Sequence, residues 1–256
     1  MLIDKTFVAA LTALPLTLAL LATPSLGEDD AGTLVQKAVD NLPKVPVQAK
    51  LKLTPPQGAP REVGLSSKMV DGRRASYLEV TAPESLEGIR FLFLEKPGTE
   101  SEQYMKIAAA PNAVKVSGQI RKNPFLESTF YVSDMVEPIV ANYTYEFVGE
   151  GGIGGRAVKK VKATPKNPED EIYGSTIISI DPKDLIVLKR EFADKDGKPF
   201  KEWSVDIVEE VDGILTIKDQ RMKNLQDGTE SRLETVEIEY NGDIPDTTFS
   251  PDHLRR

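Results

Sequence analysis

The chain has 256 residues, a net charge of −8, no cysteine and a single histidine, His253. Without cysteine there is neither a thiol nucleophile nor a disulfide framework, and one histidine rules out a histidine-dependent triad or a two-histidine metal site within one chain. The acidic balance, with no basic block, argues against nucleic acid as a partner.

Residues 1–27 read as a secretory signal. Lys5 precedes an apolar run from Phe7 to Ala22, and Ser25-Leu26-Gly27 places small residues at the cleavage site. The run contains Pro15 and is short for a membrane span, which needs about 20 apolar residues. Asp4 weakens the charged flank, so an uncleaved anchor is the alternative. No cysteine stands near the cleavage site for acylation. Cleavage leaves residues 28–256 as one domain, 256 − 27 = 229 residues, expected to be periplasmic, without a transmembrane segment and stabilised by a buried core.

Glu28–Leu42 is predicted helical, because Leu34, Val35, Ala38, Val39 and Leu42 recur at helical spacing until Pro43. From Val47 the period becomes two: Val47, Ala49, Leu51 and Leu53 on one face, Gln48, Lys50 and Lys52 on the other. Val63, Leu65 and Met69 mark the next strand, and Asp71-Gly72 turns it into Arg73–Thr81. In Gly88–Glu95 both faces are apolar, with Ile89, Phe91 and Phe93 against Leu92 and Leu94, which predicts a strand covered on both sides. Strands are predicted at Tyr104–Ile107 and Val114–Ile120.

Asn123–Pro138 breaks the pattern. It gathers Phe125, Leu126, Phe130, Tyr131, Val132 and Met135 between prolines, with Asp134 where a helix cap could sit. Two readings stand: a lid or plug over an apolar cavity, or a fixed cover over one end of the core.

Strands are predicted to resume at Tyr143–Val148 and Ala157–Ala163, with Gly149–Gly155 as a flexible turn. Five more follow at Ile172–Ile180, Leu185–Phe192, Phe200–Val208, Ile214–Met222 and Arg232–Tyr240. Asp196-Gly197, Asp212-Gly213, Asp227-Gly228 and Asn241-Gly242 punctuate them as hairpin signals, which predicts a long antiparallel meander. Phe249–Arg256 looks like a short docking turn. Trp203, Val205 and Ile207 alternate onto one face, either as core or as the wall of a ligand cavity.

No residue pattern points to catalysis or to a cofactor. Glu209-Glu210 and Glu169-Asp170-Glu171 read as solvated turns, and Asp194-Lys195-Asp196-Gly197 begins like a calcium loop but lacks the later ligands.

Several segments carry a family resemblance: Val80-Thr81-Ala82-Pro83 leading into Gly88-Ile89-Arg90-Phe91-Leu92; Tyr104-Met105-Lys106-Ile107; the basic approach Lys115–Lys122; and an F-L-x-S-x-F signature with a following acid, at Phe125, Leu126, Ser128, Phe130 and Asp134. Ile180-Asp181, Arg190-Glu191-Phe192, Asp196-Gly197-Lys198, Lys201, Met222-Lys223-Asn224, Thr229 and Phe249–Leu254 extend it. In these the chain resembles the outer-membrane lipoprotein-sorting family, the LolA/LolB-like carriers of the bacterial periplasm, and within it the branch found beside RND-type exporters. The family usually has glycine and aspartate where Glu127 and Thr129 stand, and an aromatic where Val132 stands.

The resemblance implies a mainly β fold: an incomplete, strongly curved antiparallel β-barrel with helices covering its open face. It implies a non-enzymatic periplasmic carrier or chaperone that binds lipid or the acyl chains of a lipoprotein in a hydrophobic cavity. Phe91, Phe93, Phe125, Leu126, Phe130, Met135, Trp203 and Val205 are the candidate cavity and lid residues, with no catalytic or metal ligand. An inner-membrane RND-type or ABC-type transporter is the candidate partner. The alternatives are an envelope-stress sensor or interaction module on the same fold, or an accessory subunit of an RND-type exporter.

Overall fold

The structure, a computed structural model, describes residues 28–255 except Pro97, Ala108, Pro111 and Asp170. The leader reading falls on residues 1–27, outside the described residues. The chain opens with helix α1 (Glu28–Asp40), whose Ala31, Val35 and Ala38 recur at helical spacing and are buried.

Thirteen strands follow: β1 (Val47–Thr54), β2 (Arg61–Val70), β3 (Arg73–Ala82), β4 (Arg90–Glu95), β5 (Glu102–Lys106), β6 (Val114–Lys115), β7 (Tyr143–Ile153), β8 (Arg156–Pro165), β9 (Ser175–Asp181), β10 (Ile186–Ala193), β11 (Pro199–Val211), β12 (Ile214–Asn224) and β13 (Glu230–Tyr240). They form one antiparallel sheet in the order β6-β5-β4-β3-β2-β1-β13-β12-β11-β10-β9-β8-β7. The first and last strands pair at its centre, and β6 and β7 are its two open edges, so the sheet does not close into a barrel. It is nevertheless strongly curved. Phe91 and Phe93 of β4 share one buried cluster with Phe192 of β10 and Met222 of β12, and a flat sheet would hold those strands far apart.

This topology fixes the path of residues 116–142. The chain must travel from edge strand β6 to the opposite edge strand β7, and the path it takes crosses the concave face as a strap. Two of its short 3₁₀ turns, Phe125–Glu127 and Val132–Met135, bury Phe125, Leu126, Phe130 and Val132 against β4 and the neighbouring strands. Leu126 and Glu127 sit consecutively in the left-handed backbone region, at φ 50° and 60°. That conformation disfavours residues with a Cβ and is held here by the surrounding contacts.

Both faces of β4 are covered, as its two-sided apolar pattern predicts. Phe91 and Phe93 face the strap, and Leu92 packs with Ile244, Phe249 and Leu254 of the C-terminal tail. That tail docks as predicted.

Several local expectations are corrected. Val114–Ile120 is a two-residue strand followed by a 3₁₀ turn at Gly118–Lys122, because Gly118 turns the chain at φ 53°. The glycine-rich run is strand to Ile153, and only Gly154-Gly155 makes the hairpin turn, at φ 56° and 78°. Asp71-Gly72 and Asp212-Gly213 have both central residues at positive φ, whereas Asp196-Gly197 and Asp227-Gly228 use positive φ at glycine alone. Asn241-Gly242 joins no strands: it ends β13, and Asn241 N–H donates to Pro46 O. Ile207 does not share the face of Trp203. Irregular pairing between Val205 and Val208 shifts the phase, leaving Ile207 exposed while Val208 packs inward.

Candidate functional site

Between the strap, the concave face of the sheet and the end of α1 lies a cavity of about 1020 Å³. Its sheet wall is largely apolar, with Gln103, Arg190 and Gln220 among its polar members. Leu65, Ala49 and Ile238 stand side by side across β2, β1 and β13 in register, and Ile178, Phe192, Trp203, Met222 and Leu233 continue the lining. Phe130, Met135, Val136 and Ile139 of the strap form the opposite wall, and Ala38, Val39 and Leu42 contribute from α1 and the residues after it.

The sheet splits beside this space. β12 pairs with β13 only from Asp219↔Glu234 to Lys223↔Glu230, although both strands run further. Past that point Leu215, Thr216 and Ile217 on one side and Thr235, Ile238 and Tyr240 on the other line the cavity. Two side-chain hydrogen bonds replace the ladder: Thr235 Oγ1 donates to Ile217 O at 3.0 Å, and the Thr216 and Tyr240 hydroxyls meet at 2.7 Å. Residues on both sides of this split were not among the sequence candidates. Their alternating pattern is that of any half-buried strand, and only the missing pairing distinguishes them.

Of the eight predicted residues, Phe130, Met135 and Trp203 line the cavity. Phe91, Phe93, Phe125 and Leu126 lie in the adjoining packed cluster, where the rings of Phe91 and Phe125 are 4.8 Å apart. Val205 packs with Val158 and Leu188 in a separate cluster.

The strap is stitched to both arms of the sheet. Arg61 of β2 ion-pairs with Glu127. Thr129 N–H donates to Ser231 Oγ of β13 at 2.9 Å, and Lys201 Nζ of β11 donates to Thr129 O at 2.6 Å. Arg190 of β10 donates to Glu137 Oε2 at 2.8 Å, and Glu137 N–H donates to Glu95 Oε2 of β4 at 2.9 Å.

Asp134 caps the turn Val132–Met135 from its third position, Tyr131 being the N-cap residue itself. It sits inside the turn, where its carboxylate accepts the Tyr131 N–H at 2.7 Å and the Tyr173 hydroxyl at 2.9 Å. Burial raises the Asp134 pKa above the usual carboxylate range, and burial followed by the Asp134 charge pushes the Tyr173 hydroxyl upward. Lys201 lies 3.0 Å from the centroid of the Tyr131 ring, and burial lowers its pKa to about 8. Trp203 donates its indole N–H to Gln220 Oε1 at 2.7 Å, and the Arg190 guanidinium carbon lies 5.5 Å from its ring centroid.

Glu95 gives this region a pH dependence. Burial, with a smaller contribution from the Glu137 carboxylate, pushes its pKa to about 7, against the opposing pull of the Glu137 N–H bond. A raised carboxyl pKa means that the folded state retains a proton the unfolded state releases. The contribution is fully present below the unfolded pKa, near 4.5, and is lost as pH rises through about 7. The urea midpoint is therefore expected to fall between pH 5 and pH 8. Glu95→Gln should flatten that fall and be more stable than the parent at pH 8. Denaturation curves at the two pH values check this, and an unchanged slope in the variant would refute the assignment to Glu95.

Among the described residues no group of three or more histidine, cysteine, aspartate or glutamate side chains could hold a metal ion, and no helix is long and apolar enough to cross a membrane.

An open, curved antiparallel sheet with a strap across its concave face and an apolar cavity beneath is the LolA-like fold. A domain from Vibrio parahaemolyticus, described as outer membrane lipoprotein-sorting, superposes with TM-score 0.82 at 18% identity, covering 90% of this chain and 100% of that one. A DUF1329 family protein from Desulfovibrio piger does so with TM-score 0.82 at 18% identity, covering 88% and 98%. A LolA superfamily protein from Nitrosomonas europaea gives 0.65 at 17% identity, covering 87% and 98%. At these identities the likeness is one of fold. The sequence itself matches, over residues 72–256, a family described as "Uncharacterized protein", and the chain belongs to that family. A comparison with curated proteins found no match.

Proposed function

We propose that this protein is a non-enzymatic carrier that receives the acyl chains of a lipid or an acylated lipoprotein in the cavity beneath the strap. The observation that carries the reading is the cavity: about 1020 Å³, walled by apolar side chains of the sheet and the strap. That is at the upper end of the roughly 300–1,000 Å³ common for small-molecule sites. Each buried CH₂ contributes about 0.8 kcal/mol, so a 16-carbon chain gains on the order of 10 kcal/mol before ordering costs are subtracted. No reacting group is required for such a task. The neighbour described as lipoprotein-sorting supports acylated cargo, and an inner-membrane RND-type or ABC-type transporter fits as donor.

The test is mass spectrometry of an organic extract of the protein purified from its native source. Stoichiometric lipid supports the carrier reading, whereas a lipid-free protein bound to a stable protein partner favours the sensor or interaction module.

The carrier works in the periplasm if residues 1–27 direct export. Intact-mass measurement of the exported protein is expected to show a chain beginning at Glu28, and a full-length chain in the membrane fraction would overturn the cleavage.

A further inference from the structure

The cavity is largely apolar, but residues of both its sheet wall and its strap carry polar atoms without partners. Among the described residues, seven buried side-chain nitrogen or oxygen atoms have no hydrogen-bond partner, and four belong to residues that line this cavity: Gln103 Oε1, Arg121 Nε, Ser133 Oγ and Arg190 Nε. Three of these four can donate. Buried donors are normally paired, because leaving one unpaired costs its full desolvation. Their residues line one cavity while the atoms themselves are sealed from it, so a ligand with acceptor oxygens would reach them once a side chain such as Glu137 gives way.

Arg190 of β10 is the member of this group that holds the strap to the sheet. Its guanidinium lies against the Trp203 ring and donates to Glu137 Oε2 at 2.8 Å. Asp134 also faces it electrostatically, but that carboxylate already accepts from Tyr131 and Tyr173 and has Lys201 beside it. Glu137 is thus the carboxylate that Arg190 holds directly, and it sits on the strap among the residues that line the cavity. A guanidinium presents its donors in a planar fork suited to the two oxygens of a carboxylate or phosphate.

We propose that Arg190, aided by Arg121 and Ser133, receives the anionic oxygen head group of the cargo lipid, a carboxylate or a phosphate, and that Glu137 is the internal carboxylate that holds this place until cargo enters. The inference rests on the carrier reading and adds the chemical class of the cargo. The chain of the lipid lies along the Trp203, Met222 and Leu233 wall while its head displaces Glu137, so that binding also frees one tie between strap and sheet.

The experiment is displacement of the neutral apolar dye N-phenyl-1-naphthylamine by three amphiphiles of equal chain length: laurate, dodecyl phosphate and dodecanol. Laurate or dodecyl phosphate should displace the dye at a concentration at least tenfold below dodecanol, and the order of the two anions tells which head group is preferred. Arg190→Met should reduce that ratio to about one. Arg190→Lys, which keeps the charge without the fork, should retain part of the ratio and serves if the methionine variant does not fold. Glu137→Gln should tighten anion binding, because the internal competitor is gone. Dodecanol equal to both anions in the parent protein, or a ratio that survives Arg190→Met, would overturn the assignment while leaving the carrier reading intact. Anion affinity unchanged in Glu137→Gln would overturn the role given to Glu137. Failure of the dye and all three amphiphiles to bind would overturn both the inference and the carrier reading.

Discussion

Phe125→Ala is expected to destabilise the protein by about 3–5 kcal/mol, the usual cost of truncating a buried aromatic side chain. Phe125 is 3% exposed, its ring is 4.8 Å from that of Phe91, and its N–H donates to Phe130 O at 2.8 Å across the turn. The truncation removes packing at the point where the strap meets β4, and the ties at Glu127, Thr129 and Glu137 keep the strap from collapsing into the space left. A domain's whole stability is only about 5–15 kcal/mol, so the urea midpoint should drop steeply. A shift worth under about 1 kcal/mol would show that this part of the strap is a loosely held lid. The measurement decides between the two readings that the sequence leaves open for residues 123–138.

Ala49→Phe is expected to act in the opposite sense. Ala49 is the smallest side chain in the row Leu65, Ala49 and Ile238 on the cavity wall. Ala49 is buried between Leu65 and Ile238, so a phenyl group has room only on the cavity side, and stability should fall by no more than the roughly 1–3 kcal/mol of an overpacked site. It takes the space an acyl chain would use, and affinity for a lipid probe should fall at least tenfold, about 1.4 kcal/mol. Fluorescence titration with a lipid probe, run beside a denaturation curve, checks both halves. Unchanged binding would place the cargo elsewhere and remove the cavity as the support for the carrier reading. The two substitutions form a pair: one deletes volume from the core and tests stability, while the other adds volume to the cavity and tests binding.

Local chemistry was legible in the sequence. The helical spacing of Leu34, Val35, Ala38, Val39 and Leu42, the alternation in β1 and the two-sided apolar pattern of β4 follow from which side chains must leave water. All three appear where that rule places them. The hairpins at Asp71-Gly72 and Asp212-Gly213 follow from backbone sterics at positive φ. Ile207 failed because an irregular pairing shifts the phase within one strand, and the residues after Val114 failed because Gly118 turned a run with strand-like alternation.

The candidate site was legible only in part, for a related reason. Phe125 and Phe130 are the same residue type five positions apart on the strap, both 3% exposed and in one packed cluster, yet only Phe130 also borders the cavity. Burial is a property of composition, but whether a buried face meets matter or open volume depends on what the rest of the chain brings opposite it. By itself the sequence determined the strands, the helix and the break in pattern at residues 123–138, because these depend on neighbours close along the chain. Only the tertiary structure decided that β6 and β7 lie at opposite edges, that the strap must therefore cross the concave face, that β12 and β13 part beside the cavity, and that Arg190 meets Glu137 across 53 residues of chain. Those outcomes depend on long-range strand pairing and curvature, which no local window of residues encodes.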